Sequence, residues 1–208
     1  MFNTFYDKIY VLNQPERQDR RKQFVRNAAE IGLEYEFFPS IKKDSARDSF
    51  NWSHYQILKE AYRDGHTMVM VIEDDCAFKS IGYFEDIHIE LAESDWSLAY
   101  YGVNARPYPD HREPTYYSKH LRKIHAGYTT HAIGYTRNAI EAILWAYAPE
   151  TGEMYDAFLD RLILPSIGAY VTIPFLCVQK PSFSDLWNRT VDYTDTFQAS
   201  EEYLRNIC

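Results

Sequence analysis

Three adjacent carboxylates, Glu73, Asp74 and Asp75, follow a run of apolar residues at positions 68–72. A short apolar run that comes after a glycine, Gly65, and is rich in Val and Ile is typical of a strand buried on both faces. In an open α/β sheet, ligands bind at the carboxyl ends of such strands. If the chain stays extended through the acids, Glu73 and Asp75 point to one side and Asp74 to the other.

These acidic side chains predict a site for a divalent cation. Adjacent anions raise each other's pKa unless a cation lies among them, and oxygen ligands are those that Mg²⁺ and Mn²⁺ prefer. The alternative is a solvated acidic loop that caps the following helix.

Basic residues cluster shortly after the first predicted strand, which covers residues 8–12, at the start of a predicted helix over residues 15–31. The first turns of this helix carry Arg17, Arg20, Arg21 and Lys22. Early helical positions usually favour acids, so this basic start opposes the helix dipole. A strand that leads into such a start can bind a diphosphate through backbone N–H groups and arginines. A solvated charged face is the alternative.

The remaining periodicity predicts strands and helices in alternation. Strands are predicted at 34–41, 96–101, 129–136 and 169–178, and helices at 51–63, 81–91, 137–147 and 155–164. Alternation of this kind is the pattern of a doubly wound α/β fold. We therefore expect a mixed, mostly parallel central sheet flanked by helices, in a single domain over residues 1–208.

Three features interrupt this alternation. Pro174 lies inside the last predicted strand, which suggests an edge strand or a bulge. Residues 103–128 contain prolines and show no clear period, and so long a connection predicts a lid or a binding loop. Residues 179–208 are polar and aromatic, and we expect a wrapping tail that ends in a helix.

Composition limits the classes of partner. The 208 residues carry a formal charge of −8, which argues against nucleic acid or an anionic membrane as the main partner. Neither a signal peptide nor an apolar run of membrane-span length is visible, so we do not expect an integral membrane protein. The odd set of cysteines, Cys76, Cys177 and Cys208, favours reduced thiols and a cytoplasmic location, with peripheral attachment to a membrane left open.

A series of short motifs runs through the chain in a fixed order. They are Val-Leu-Asn-Gln-Pro-Glu-Arg-Gln-Asp-Arg-Arg (11–21), Asn-Trp-Ser-His (51–54), Val-Ile-Glu-Asp-Asp (71–75), Asp-Trp-Ser-Leu-Ala-Tyr-Tyr-Gly (95–102), His-Ala-Ile-Gly-Tyr (131–135), Tyr-Asp (155–156), Pro-Phe-Leu-Cys-Val-Gln (174–179) and Ser-Phe-Ser-Asp (182–185). The series resembles glycosyltransferase family twenty-five, the family of lipooligosaccharide-biosynthesis transferases and collagen galactosyltransferases. The resemblance covers nearly the whole chain and depends mainly on the Glu-Asp-Asp strand end and on the order of the set.

The resemblance implies a GT-A fold, a nucleoside-diphosphate sugar donor such as a UDP-sugar, a divalent metal and an inverting transfer. By that resemblance Asp75 is the metal ligand, and Glu73 or Asp74 lies near the ribose or in a second coordination position. Many GT-A enzymes also supply a late His to the metal. No His follows His131 in this chain, so Asp185 or water is the expected last ligand.

The same resemblance identifies donor-binding residues. Those of the first-strand motif are Asn13, Arg17, Arg20 and Arg21, and those of the Ser-His motif are Ser53 and His54. The second motif departs from the family, which commonly has Gly-Cys a few residues before its Ser-His, where this chain has Phe-Asn-Trp at 50–52. The local contacts with the donor are therefore open, whereas the fold expectation is unaffected.

An inverting transfer needs a base that takes the proton of the attacking acceptor hydroxyl. Asp156, at the start of a predicted helix, is the first candidate, Asp185 the second and His131 the third. The alternatives are a helix cap for Asp156 and a buried, hydrogen-bonded role for any of them. Aromatic residues could also stack on sugar or base faces, although most are expected to form ordinary packing. These aromatic residues are Trp52, Tyr101, Tyr108, Tyr135 and Trp187.

Together these features predict a metal-dependent, inverting glycosyltransferase that moves a hexose onto a glycan, either a surface saccharide or a glycoprotein glycan. A nucleotidyltransferase is the alternative enzyme, although the Gly-rich, Arg-containing phosphate loop usual in such enzymes does not follow the first strand. A non-catalytic module that binds a sugar or a nucleotide is the alternative outside enzymes.

Overall fold

Strands and helices alternate along most of the chain in the computed structural model, which describes residues 2–107 and 112–208. The strands are β1 (Lys8–Asn13), β2 (Glu36–Pro39), β3 (Met68–Glu73), β4 (Cys76–Phe78), β5 (Leu98–Tyr100), β6 (Thr115–Tyr116), β7 (Leu121–Lys123), β8 (Ala132–Thr136), β9 (Ala169–Thr172), β10 (Cys177–Gln179), β11 (Ser182–Ser184) and β12 (Arg189–Val191). The helices are α1 (Phe2–Phe5), α2 (Gln18–Glu30), α3 (Ala46–Arg63), α4 (Phe84–Ala92), α5 (Arg137–Ala146), α6 (Tyr155–Phe158) and α7 (Thr194–Arg205). Among the residues described, no helix is both long and apolar enough to cross a membrane.

The main sheet has the strand order β2-β1-β3-β8-β5-β9-β7-β6. Strands β1, β2 and β3 are parallel to one another, as are β5 and β9. Strands β8 and β7 run antiparallel to their neighbours. Two small antiparallel pairs, β4 with β10 and β11 with β12, lie outside this sheet. The predicted mixed, mostly parallel sheet flanked by helices is confirmed.

Strand β3 is central because it is buried on both faces. It pairs with β1 in parallel and with β8 antiparallel. Val69 and Val71 pack into a core that includes residues of α3 and α5, and Met70 and Ile72 pack into a second core with α2 and α4. The apolar run thus forms the predicted strand and places Glu73 at the carboxyl edge of the sheet.

The helices beside this edge differ from prediction at their starts. Helix α3 begins at Ala46, earlier than the predicted residue 51, because Ser45 caps it. The Oγ of Ser45 accepts a hydrogen bond from Asp48 N at 2.9 Å, which satisfies a free N–H group of the first turn. Helix α2 begins later than predicted, with Arg17 as its cap residue.

Two expectations for the second half of the chain need correction. The segment 103–128, expected to be a lid or binding loop, is not loop throughout, because part of it forms β6 and β7, and β7 pairs with β9 in the main sheet. The strand predicted at 169–178 ends at Thr172 and lies between β5 and β7, so Pro174 does not mark an edge strand. The chain then continues as β10, which pairs with β4. Tyr108 lies outside the described residues.

A hydrogen-bonded network ties the N-terminal segment to α4. The hydroxyl oxygen of Tyr101 lies 2.7 Å from that of Tyr6 and 2.7 Å from Nε2 of His88. The ring of Phe5 stacks on His88. Gly134 in β8 makes room for this network, since a β-carbon there would overlap the Tyr6 side chain. Burial lowers the pKa of His88 to about 3, so its imidazole is neutral at neutral pH.

The lowered pKa of His88 makes the stability of the folded protein depend on pH. Because the folded-state pKa lies below the unfolded value of 6.5, the contribution of His88 is complete above that value and is lost as the pH falls toward about 3. The unfolding free energy of the unsubstituted protein should fall between about pH 7 and about pH 4.5. In His88→Gln we expect this fall to be smaller by about 2 kcal/mol. Urea denaturation of both proteins at the two pH values measures this, and equal losses would contradict it.

Candidate active site

A cleft of about 420 Å³ opens beside the carboxyl ends of β1 and β3. Its walls also include residues of α3, α6 and the segment between β11 and β12. The predicted site residues that line it are Arg20, Ser53, Glu73, Asp74, Asp75, Asp156 and Asp185. The fold therefore brings together residues that are more than a hundred positions apart in the sequence.

The three acidic residues do not continue the strand. Strand β3 ends at Glu73, Asp74 and Asp75 form a turn, and β4 follows at once. The expected alternation, with Glu73 and Asp75 on one side, is therefore wrong. Asp74 Oδ1 and Asp75 Oδ2 instead converge on Nη1 of Arg20, each at 3.1 Å, whereas Glu73 has other partners.

The arginines at the start of α2 connect these acids to the β11–β12 hairpin. Arg20 Nη2 donates hydrogen bonds to Ser182 Oγ at 2.8 Å and to the Phe183 carbonyl at 2.6 Å. Arg17 Nη1 donates to Asp185 Oδ2 at 2.8 Å and to the same carbonyl at 3.0 Å. The alternative of a solvated basic face on α2 is therefore wrong for Arg17 and Arg20.

Asp74 is held from a second side by the first-strand motif. Asn13 Nδ2 donates to Asp74 Oδ2 at 2.7 Å, and Arg21 Nη1 donates to Asn13 Oδ1 at 3.3 Å. Burial raises the pKa of Asp74, and the interactions with Asn13 and Arg20 oppose that rise. Asn13 and Arg21 thus lie behind the cleft and position the residue that lines it.

Asp75 has one carboxylate oxygen without a partner. Its Oδ2 contacts Arg20 and accepts a hydrogen bond from Gln179 Nε2 at 3.0 Å. Its Oδ1 is buried and has no hydrogen-bond partner in the part of the chain that the structure describes. Burial and the nearby charge of Glu73 raise the pKa of Asp75 to about 7. A cation or a proton donor at this oxygen would be stabilised.

Glu73 lies in a different electrostatic environment. Thr130 Oγ1 donates to Glu73 Oε1 at 2.6 Å, and His54 Nε2 lies 3.5 Å from the same oxygen. Burial alone would raise the pKa of Glu73, but the interactions with His54 and Thr130 outweigh it and hold the pKa below its usual value. His54 is buried and stacks on Tyr155 with 4.8 Å between ring centroids. It therefore supports Glu73 from behind the cleft.

The three candidate bases differ in position. Asp156, at the start of α6, lines the cleft; its Oδ1 accepts a hydrogen bond from the next backbone N–H at 2.8 Å, and burial raises its pKa. Asp185 also lines the cleft but is paired with Arg17 at 2.8 Å. His131 is fully buried, with Nε2 3.1 Å from the Cys177 carbonyl oxygen, which removes it as a candidate. Asp156 is the candidate that the geometry favours.

The aromatic residues also separate by position. Tyr101 and Tyr135 are completely buried in the core, so they form the ordinary packing expected of most of these residues and do not reach a ligand. Trp52 packs against Tyr55 on α3. Trp187 lines the cleft and is 55% exposed, which leaves it available to a ligand.

Two polar residues that the sequence analysis did not assign to the site contact the acids. Gln179 is the last residue of the motif at 174–179, and Thr130 lies at the start of the strand predicted at 129–136. Ser53, by contrast, uses its hydroxyl within the protein. Its Oγ donates to the Ser49 carbonyl at 2.5 Å and accepts from Ile41 N at 2.8 Å.

The described residues could supply only part of the coordination of a divalent metal, and a bound ligand would have to supply the rest. Within residues 2–107 and 112–208, no group of three or more His, Cys, Asp or Glu side chains is placed to hold a metal ion. Mg²⁺ is, however, usually held by one or two carboxylates together with substrate phosphates and water. The unpartnered Oδ1 of Asp75, with the charge of Glu73 nearby, could supply the carboxylate share of such a site.

Comparisons with known proteins place the fold. No family model matches the sequence, and no curated protein matches it. The structure is similar to that of a glycosyltransferase involved in the glycosylation of the major capsid of PBCV-1, with a TM-score of 0.53, 13% identity, and coverage of 94% of this chain and 99% of that one. It is also similar to A197 from STIV, with a TM-score of 0.50, 10% identity, and coverage of 88% and 91%. At these identities the likeness shows a shared fold, and the predicted GT-A-type architecture is confirmed at that level.

Replacing Arg20 tests whether the acids depend on its charge. The side chains of Asp74 and Asp75 are only 6% and 4% exposed, so Arg20→Met would leave two buried carboxylates without their cation. We expect it to lower the unfolding free energy by about 3 kcal/mol at neutral pH, measured by urea denaturation. Arg26→Met, on the exposed face of the same helix, is the control and should change it by less than about 0.5 kcal/mol. Equal stability of the two variants would contradict the pairing.

Proposed function

We propose that this protein is a metal-dependent, inverting glycosyltransferase that transfers a hexose from a nucleoside-diphosphate sugar, such as a UDP-sugar, to a glycan. The observation that carries the proposal is the buried, unpartnered Oδ1 of Asp75 beside a cleft that Arg20 also lines. An anionic oxygen next to a guanidinium group suits a ligand that consists of a metal ion and a diphosphate. The fold shared with the PBCV-1 glycosyltransferase supports the same reading.

The proposed diphosphate site is the start of α2. Backbone N–H groups there and the guanidinium groups of Arg17 and Arg20 are suited to phosphate oxygens. Both arginines already have protein partners, so a diphosphate would share or replace some of these contacts. Asn13 and Arg21 would keep Asp74 in position next to the nucleotide.

The Ser-His segment would form the neighbouring wall of the donor site. Ser53 lines the cleft, and His54 holds Glu73 from behind. Glu73 and Asp74 would then border the donor from the strand end. In this proposal Ser53 contributes only to the shape of the wall, because its hydroxyl is already bonded to Ser49. His54 contributes by positioning Glu73.

Asp75, with Glu73 nearby, would hold Mn²⁺ or Mg²⁺, and diphosphate oxygens, water or Asp185 would complete the coordination. Such an ion supplies positive charge next to the departing nucleoside diphosphate. Arg20 would add positive charge from the side of the helix, where it contacts the same two aspartates.

Asp156 is the proposed base. Its carboxylate would accept the proton of the acceptor hydroxyl while that oxygen bonds to C1 of the donor sugar. The bond between C1 and the phosphate oxygen breaks, and its electron pair leaves with the nucleoside diphosphate. Attack from the face opposite the leaving group inverts the anomeric centre. Burial raises the pKa of Asp156, which makes it a stronger base than an exposed carboxylate.

The remaining parts of the proposal are membership of glycosyltransferase family twenty-five, a cytoplasmic location and a surface saccharide or glycoprotein glycan as acceptor. The motif series supports the first of these. The odd set of cysteines without framework spacing supports the second.

Asp75→Asn removes the charge of Asp75 but preserves its size. With a UDP-hexose and Mn²⁺ present, we expect release of UDP to slow by about 100-fold, because metal-assisted donor binding is lost. Asp64→Asn, at an exposed helix end, is the matched control. Unchanged UDP release by Asp75→Asn, with circular dichroism showing an intact fold, would refute this role.

The products of the same assay separate the alternative functions. Release of the nucleoside diphosphate supports sugar transfer. Release of pyrophosphate from a sugar 1-phosphate and a nucleoside triphosphate supports a nucleotidyltransferase. Nucleotide binding without either product supports a non-catalytic module.

Asp156→Asn tests the proposed base. We expect kcat for transfer to fall by about 100-fold or more, because no carboxylate takes the acceptor proton. Donor affinity, measured by calorimetry, should stay within about twofold of wild type, since the proposed diphosphate contacts are elsewhere. A change in donor affinity with kcat unaffected would contradict the assignment.

A further inference from the structure

A second cavity, of about 530 Å³, adjoins the candidate active site and is called the groove here. Its polar lining consists of Arg112, His125, Tyr128, Glu153, Asp160 and Arg161. Tyr128 and Ala157 line both the groove and the cleft, and Ala157 directly follows Asp156 in the chain. A molecule in the groove would therefore approach the cleft on the side of the proposed base.

Several polar groups of the groove are held in fixed positions. Arg161 donates two hydrogen bonds of 2.8 Å to Glu153. The buried carboxylate of Asp160 accepts a hydrogen bond from Gly127 N at 2.8 Å. Planar polar groups that are held in this way can bond pairs of neighbouring sugar hydroxyls, and the ring of Tyr128 adds apolar surface. The lining is thus suited to a saccharide.

Two further groups in the groove could bind a ligand directly. His125 is 8% exposed, and its Nε2 has no hydrogen-bond partner in the part of the chain that the structure describes. Arg112 is exposed and takes part in none of the ion pairs between described residues. Burial lowers the pKa of His125, and the charge of Arg112 lowers it further. Both side chains line the groove, so one ligand there could contact both.

We infer that the groove binds the acceptor saccharide and that the sugar unit in it is a uronate. The carboxylate of the uronate would pair with Arg112, and one of its hydroxyls would bond to Nε2 of His125. The inference rests on the proposed function, because it assigns the groove to the substrate that delivers its hydroxyl to Asp156.

The charge of the groove favours a carboxylate over a phosphate. Arginine binds a carboxylate through two parallel hydrogen bonds. The carboxylates of Glu153 and Asp160 line the same groove, so a phosphate that carries nearly two charges would be repelled more strongly than a singly charged carboxylate.

Calorimetric titration of the whole chain with an oligosaccharide that ends in glucuronate tests the inference. The matched ligand is the same oligosaccharide after reduction of its carboxyl group to a hydroxymethyl group. We expect the glucuronate form to bind the unsubstituted protein about tenfold more tightly. In Arg112→Gln the two affinities should become equal, and in Arg26→Gln, on an exposed helix face, the difference should remain.

Equal affinities in the unsubstituted protein, or a difference that persists in Arg112→Gln, would overturn the inference. Tighter binding of an oligosaccharide that ends in a sugar 6-phosphate would overturn the choice of a carboxylate. Release of UDP from a UDP-hexose without acceptor tests the proposed function separately. If the glucuronate form binds but no UDP is ever released, the assignment of the groove to an acceptor fails while its saccharide binding stands.

Discussion

The guanidinium group of Arg20 is the interaction on which the site depends. It contacts Asp74 and Asp75 in the turn after β3, and it donates to Ser182 and Phe183 in the β11–β12 hairpin. Two buried carboxylates this close together are stable only with a cation between them. Because one side chain serves both carboxylates and the hairpin, the position of the hairpin over the cleft is linked to the charge of the acids.

The cleft contains carboxylates whose pKa values are shifted in opposite directions. The interactions of Glu73 with His54 and Thr130 keep its pKa low, whereas burial raises the pKa of Asp75 and Asp156. Titratable groups whose pKa values differ in this way can have different roles in one site. The cause is local: β3 places Glu73 at the sheet edge, and the turn carries the next two acids toward α2 instead.

Sequence reasoning succeeded where neighbouring residues decide the outcome. The doubly buried strand β3 and the helix–strand alternation follow from hydrophobic periodicity, which acts over a few residues. It failed where distant segments pair. Residues of 103–128 add strands to the sheet, and β9 is an interior strand because β7 pairs with its free side. Hydrophobic periodicity within either segment does not predict that pairing.

By itself, the sequence determined the fold class, the acidic strand end and the basic start of the helix after β1, because apolar spacing and local charge specify them. Only the tertiary structure decided that Arg20 is the cation shared by Asp74 and Asp75, and that Gln179 donates a hydrogen bond to Asp75. It also decided that His131 is fully buried in the core. The physical reason is that ion pairing, burial and pKa depend on which distant segments pack together, and that packing is a property of the whole chain.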